Sequence, residues 1–240
     1  MLTAENIVAK IVVSVVTKVG GALTAMATDK RRKAARALLK LYYAVQSLDE
    51  ATEKLLREIP NPESTGAAHA LIVALVHNQD RIEIATNAFV DLASELQRGL
   101  SIIDPALAQV CAVIYRGKGD FLSFMSHSID LNLRGDKALV TLYCPNPKIL
   151  ATDFEEAYSQ SQKAVARGET YYWPNGAFDY FNDFEEVVLS SADDTAASKI
   201  IAMISQHHEL LKQAREQLRS LIKQSFSIDE LLFHEDMTPK

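Results

Sequence analysis

Six histidines are the side chains best suited to acid–base or metal chemistry in this chain of 240 residues, but none stands in a catalytic motif. The patterns HExxH, GxGxxG, GxxxxGKS/T and GxSxG are absent, as is the ExxH signature of di-iron bundles. His127 and Asp130 could act as a base and its orienting carboxylate, but no nucleophile in a recognisable pattern accompanies them. The sequence therefore predicts a protein without enzymatic activity and without catalytic residues.

His69 and His77 stand eight residues apart and therefore share one face of a helix, with Val73 between them. His207 falls on the apolar face of a later helix, so a metal could bind between His77 and His207 if the two helices packed together. A lone histidine on such a face is more typical of a hydrogen-bonded core residue. The sequence therefore predicts no metal site and no cofactor.

Three long segments have the hydrophobic periodicity of bundle helices, at about 34–59, 65–98 and 194–224. In each of them apolar residues recur at steps of three and four, which places them on one face. Asn78 occupies the one polar position of the second seam and is interpreted as a device that fixes helix register. Gly99 is expected to end this second helix.

Shorter elements fill the remaining sequence. Helices are expected after the Asp104-Pro105 start signal and from about Thr152 to Arg167, while residues 131–143 allow one small β-hairpin. Glycine and proline are scarce, which argues against a chain built from many short strands and turns. The predicted fold class is all-α, a multi-helix bundle with long antiparallel helices.

Residues 1–33 are predicted to form an amphipathic, basic amino-terminal helix or arm in front of a helical-bundle domain at 34–240. The whole chain has a net charge of −6, yet residues 1–40 carry eight basic and two acidic side chains. This imbalance indicates a membrane or partner surface. Its basic residues are Lys10, Lys18, Lys30, Arg31, Arg32 and Lys33.

Residues 6–28 are apolar except for one narrow polar stripe, and three interpretations stay open. The helix could be buried in the protein core, lie in a membrane interface with its lysines at anionic head groups, or span a membrane. Lys18 argues against a span, because a charged residue in the middle of one costs about 2.5–3.5 kcal/mol. Gly20 and Gly21 are interpreted as a hinge that lets this helix swing out of the bundle.

An aromatic cluster near 171–184 is interpreted as a partner-binding surface that includes Tyr171, Tyr172, Trp173 and Phe178. The acidic residues around it would repel phosphates, which argues against a nucleic-acid ligand. The two cysteines and the lack of a secretory pattern favour a cytoplasmic protein, peripheral to a membrane at most.

We therefore expect a non-enzymatic helical-bundle interaction or assembly protein, either a homo-oligomer or a subunit of a protein complex. No small-molecule substrate is predicted. The alternative is a membrane-associating effector, of the toxin or immune type, that uses its apolar and basic amino-terminal helix against an anionic membrane surface.

Overall fold

The computed structural model describes residues 4–23, 26–59, 65–110, 129–134, 137–145, 154–171 and 184–232. Its helices are α1 (Ala4–Leu23), α2 (Thr28–Glu58), α3 (Ala67–Ile103), α4 (Pro105–Val110), α5 (Phe154–Ala166), α6 (Asp194–Ser225) and α7 (Ile228–Leu232). Its strands are β1 (Ile129–Arg134), β2 (Lys137–Pro145) and β3 (Phe184–Ser190). The fold is a helical bundle, which confirms the predicted class.

The three predicted seam helices form the frame of this bundle as α2, α3 and α6. Helix α2 packs against both α3 and α6, and α1 packs along α6. The seam of α2 is buried as its periodicity predicts, at Leu38, Leu41, Val45, Leu48 and Leu55. The predicted domain boundary after residue 33 falls inside α2, which continues without a break from Thr28 to Glu58.

The apolar core consists of two main clusters. One joins α1, α2 and α6, with fully buried residues such as Val15, Leu38 and Leu218. The other joins the end of α2 to α3, β3 and the first half of α6, with Leu75 and Ile204 at its centre. Each fully buried leucine or isoleucine contributes about 1.5–3 kcal/mol, so these clusters hold α1 and the three seam helices together.

Gly99 does not end α3, contrary to the expectation from sequence, because α3 continues to Ile103. At Gly99 the helix approaches α2 so closely that an added Cβ would lie 2.3 Å from the Cβ of Ala37. Glycine is selected both where a helix ends and where two backbones come close, and the sequence does not distinguish these two uses.

Two neighbouring aspartates cap two different helices. Asp193 caps α6 by accepting a hydrogen bond from the Ala196 amide at 2.9 Å. Asp194 instead accepts hydrogen bonds from the amides of Gly66 and Ala68 at the start of α3, at 3.0 and 2.9 Å. The bond from Ala68, followed by that from Gly66, lowers the pKa of Asp194. The start of α6 is thereby fixed to the start of α3.

The Asp104-Pro105 start signal is confirmed, and Gly168 ends the later helix α5. Asp104 accepts hydrogen bonds from the amides of Ala106 and Leu107 at 2.9 and 3.1 Å, and Pro105 is the first residue of α4. Gly168 follows α5 with a φ of 74°, the left-handed conformation that favours glycine. Thr152 and the continuation of α4 towards Tyr115 lie outside the described residues.

A small antiparallel sheet has the strand order β1-β2-β3. β1 and β2 occupy the segment in which the sequence allows a hairpin, with Ile129 opposite Leu142. β3 was not predicted, and it pairs with β2 so that Leu189 lies opposite Val140. Its apolar run of three residues is too short for periodicity to identify a strand.

Candidate functional site: the outer face of helix α3

The surface of α3 that points away from the bundle carries a line of exposed apolar side chains. Val73 is 52% exposed and Ile84 is 67% exposed, and Val76 between them is also exposed. At about 100° per residue, Ile84 lies within about 20° of Val73 around the helix axis, although three helical turns separate them. We call this surface, with His77 and Asp80 on it, the outer face of α3.

His77 and Asp80 form the polar centre of the outer face. The side chain of His77 is 73% exposed, and its Nδ1 lies 3.1 Å from Oε2 of Glu58 at the end of α2. Because an ionised carboxylate only accepts hydrogen bonds, the proton of this bond belongs to Nδ1 of His77. The other ring nitrogen, Nε2, is therefore the one that can act as an acceptor or as a metal ligand. Asp80 is exposed one helical turn further along α3.

Asn78 connects the inner seam of α3 to this polar centre. It is buried in the seam, as its position in the sequence predicts, and its Nδ2 donates to Oε2 of Glu58 at 2.7 Å and to the carbonyl of Ala74 at 2.8 Å. Desolvation acts to raise the pKa of Glu58, but the hydrogen bonds from Asn78 and His77 outweigh it, and this pKa is lowered. Glu58 is therefore an ionised carboxylate that holds the His77 ring. Sequence analysis missed Glu58, which lies 20 residues from Asn78.

A second charged cluster lies between α2 and α6, centred on Asp49, which is only 3% exposed. Arg215 contacts Oδ2 of Asp49, and Nε2 of His208 lies 3.1 Å from Oδ1. The His208 contact is an ion-pair distance without standard hydrogen-bond geometry, so Oδ1 accepts no regular hydrogen bond. Burial raises the pKa of Asp49, and the charges of Arg215 and His208 only partly oppose it. This cluster, in which Asp49 pairs with two groups on the facing helix, was not predicted from the sequence.

Arg31, one of the predicted surface residues, is bonded inside the molecule. Its Nε donates to Oε1 of Glu230 in α7 at 2.8 Å, and Nη1 donates to the carbonyl of Leu23 at the end of α1, also at 2.8 Å. Nη2 donates to the carbonyl of Ser225 at the end of α6. The hydrogen bond from Arg31 is the main reason that the pKa of Glu230 falls to about 2. Arg31 therefore fastens three helix ends to each other.

The other predicted basic residues do not share one surface. Lys30, Arg32 and Lys33 are exposed near the start of α2, whereas Lys18 is half-buried with its Nζ 4.0 Å from the centre of the Tyr158 ring. Lys10 lies in α1, and its side chain is outside the described part of the structure.

The predicted hinge and aromatic surface are placed as follows. Helix α1 runs unbroken through Gly20 and Gly21, and a Cβ on Gly20 would meet Leu221 of α6 at an ordinary 3.5 Å. Tyr171 is buried, and its amide donates to Oε1 of Gln109 at 2.8 Å. The remaining residues of the aromatic surface lie outside the described residues: Tyr172, Trp173 and Phe178.

The outer face combines exposed apolar side chains with an oriented histidine and an exposed carboxylate. Among the described residues, no group of three or more His, Cys, Asp or Glu side chains can hold a metal ion within one chain. Within the described ranges, no helix combines the length and the apolar character needed to cross a membrane. The side chain of His207, considered as a partner of His77, is not among those described. Comparison with protein-family models, with curated proteins and with solved structures finds no match to this chain.

Proposed function

We propose that this protein is a non-enzymatic assembly protein whose copies pair through the outer faces of their α3 helices. The observation that carries this proposal is the exposure of Val73 and Ile84 along one line of a long helix, with exposed Val76 to one side of it. Single apolar residues are common on protein surfaces, but an aligned set on a regular helix is a typical contact surface for another helix. The proposal includes the cytoplasmic location that the cysteine usage favours.

A second copy is the partner that the outer face fits best, because the face is complementary to itself. When two α3 helices pack antiparallel with the two-fold axis midway between residues 78 and 79, Val73 of each copy meets Ile84 of the other. In the same register His77 of each copy meets Asp80 of the other, so that a basic group faces an acidic one. Such a symmetric contact closes after two chains and forms a dimer.

The strength of this dimer follows from the few side chains involved. Each aliphatic side chain gains at most about 1.5–3 kcal/mol when it is fully buried, and this register pairs two from each copy, Val73 and Ile84. Val76 lies opposite the exposed Arg81 of the other copy, at the edge of the contact. Association costs roughly 4–15 kcal/mol in lost freedom of motion. We therefore expect a reversible dimer whose population depends on protein concentration.

Light scattering across a concentration series tests this function. The wild-type mass should rise from monomer towards dimer, and Ile84→Asp should stay monomeric while it keeps the wild-type circular dichroism spectrum. Ile228→Asp is the matched control, because Ile228 is 72% exposed on α7, away from the outer face. A wild-type chain that stays monomeric throughout would contradict the proposal, and so would equal dimerisation of Ile84→Asp.

The membrane-associating alternative requires a conformational change in the protein. The buried apolar residues of α1, which include Val12, Val15 and Val19, lie in the core against α6. Helix α1 would therefore have to leave the bundle before these residues could enter a membrane interface. Co-sedimentation of the folded protein with anionic vesicles tests this alternative directly. If both the wild type and Ile84→Asp sediment with the vesicles, the membrane-associating effector is favoured over the assembly protein.

A further inference from the structure

We propose that the outer face of α3 is half of a zinc site, which two copies complete with His77 and Asp80 from each. This inference rests on the pairing of copies proposed above and adds to it a ligand that regulates the pairing. One chain supplies two ligands on this face, and the described residues hold no complete metal cluster within one chain. The site therefore exists only in the dimer.

His77 is already arranged as a metal ligand. Oε2 of Glu58 accepts a hydrogen bond from Nδ1–H of His77, with 3.1 Å between the nitrogen and the oxygen. This bond fixes the ring tautomer and leaves the Nε2 lone pair available. A carboxylate that holds the far nitrogen of a histidine is the usual outer partner in zinc sites, where it orients the ring and makes it a stronger ligand. Asn78 holds the same Glu58 oxygen at 2.7 Å and so keeps this carboxylate in place.

Asp80 lies three residues after His77, so the two side chains are neighbours on the surface of α3. In the antiparallel register, residues 77 and 80 lie at equal distances, about 2 Å along the helix, on either side of the two-fold axis. Two imidazole nitrogens and two carboxylate oxygens thus converge around that axis. This is a complete tetrahedral set of the ligand types that zinc prefers.

The apolar residues provide the frame for this centre. The contacts between Val73 and Ile84 lie on both sides of the axis, each about 8 Å from it along the helix. They limit the rotation of one helix against the other and shield the central ligands. Zinc in turn replaces a weak pairing of His77 with Asp80 by coordinate bonds, so metal and dimer stabilise each other.

The test measures mass and bound metal together, with zinc chloride as the probe. Purified protein is analysed by light scattering in EDTA and with added zinc chloride, and bound zinc is counted by elemental analysis. We expect zinc to tighten the dimer at least tenfold, with one zinc ion for two chains. His77→Ala and Asp80→Ala should lose this response, and His69→Ala should keep it. His69 is the matched control, because it is an exposed histidine on the same face two turns earlier.

The outcomes separate this inference from the proposed function. A dimer of equal strength in EDTA and in zinc overturns the zinc site and leaves the pairing intact. A zinc response that survives His77→Ala also overturns the site, because other ligands would then bind the metal. A chain that stays monomeric in both conditions overturns both proposals.

Discussion

The amino-terminal helix and the outer face of α3 both carry rows of apolar side chains, but the first row is buried in the bundle and the second is exposed. Val12, Val15 and Val19 of α1 are fully buried, whereas Val73 and Ile84 of α3 are more than half exposed. Helix α6 provides most of the cover for the buried side of α1, with smaller contacts from α2 and α3. Helix α3 is apolar on two sides, and among the described residues its inner seam is the side that the other helices cover. The concentration of basic residues beside α1 therefore does not identify the exposed apolar surface.

The strongest test of this contrast introduces a charge into α1. Val15→Asp should destabilise the protein by several kcal/mol, because it buries an unpaired carboxylate in the main core. Val13→Asp, on the 37%-exposed side of the same helix, should change stability by less than about 1 kcal/mol. Urea unfolding followed by circular dichroism measures both. Equal stability of Val15→Asp and wild type would mean that α1 is not part of the core in solution.

The next test compares two glycines that the sequence assigned to other roles. Gly99→Ala should cost about 1–3 kcal/mol, because its Cβ would overlap that of Ala37 and push α3 away from α2. Gly20→Ala should be neutral or stabilising by up to about 1 kcal/mol, since the added Cβ makes only ordinary contact and alanine favours a helix. Thermal unfolding of the two variants compares them directly. If Gly20→Ala lowered the melting temperature and Gly99→Ala left it unchanged, the close helix contact would lie at Gly20 and not at Gly99.

Arg31 fastens the end of α1, and its removal should loosen that end by a smaller amount. Arg31→Ala should cost about 1–3 kcal/mol, because charged hydrogen bonds to Glu230 and two helix ends are lost. Lys30→Ala, an exposed neighbour, serves as the control and should have little effect.

The same contact predicts a pH dependence of definite sign. The pKa of Glu230 is about 2 in the folded protein and 4.5 when unperturbed, so its contribution is complete above pH 4.5 and is lost as the pH falls towards 2. In Arg31→Ala the pKa should move back towards 4.5, and NMR titration of the Glu230 carboxyl measures this. A titration midpoint near 2 in the variant would show that Arg31 is not the cause.

The helices were predictable from sequence because their signals are local. Steps of three and four identified the seams of α2, α3 and α6, and the polar exception at Asn78 proved to be buried in its seam as expected. The Asp104-Pro105 start signal likewise depends on neighbours within a few residues. Periodicity alone was therefore sufficient for the frame of the fold.

The candidate site was less predictable, because its contacts join distant parts of the chain. Arg31 meets Glu230 across 199 residues, and Asp194 caps a helix that begins 127 residues before it. The pairing of His69 with His77 did indicate one helix face, but only the packing reveals that this face points outward. The sequence pattern of an apolar residue is the same whether the residue packs against its own chain or against another chain.

The central claim is that two copies of α3 pair antiparallel through their outer faces, and a disulfide exchange measures it most directly. Val73→Cys and Ile84→Cys proteins are mixed under mild oxidation, and peptide mapping identifies the new bonds. The account predicts a bond between position 73 of one copy and position 84 of the other, and none between two copies of position 73, which lie about 16 Å apart along the helix. A bond between two copies of position 73, or no bond in the mixture, would contradict it.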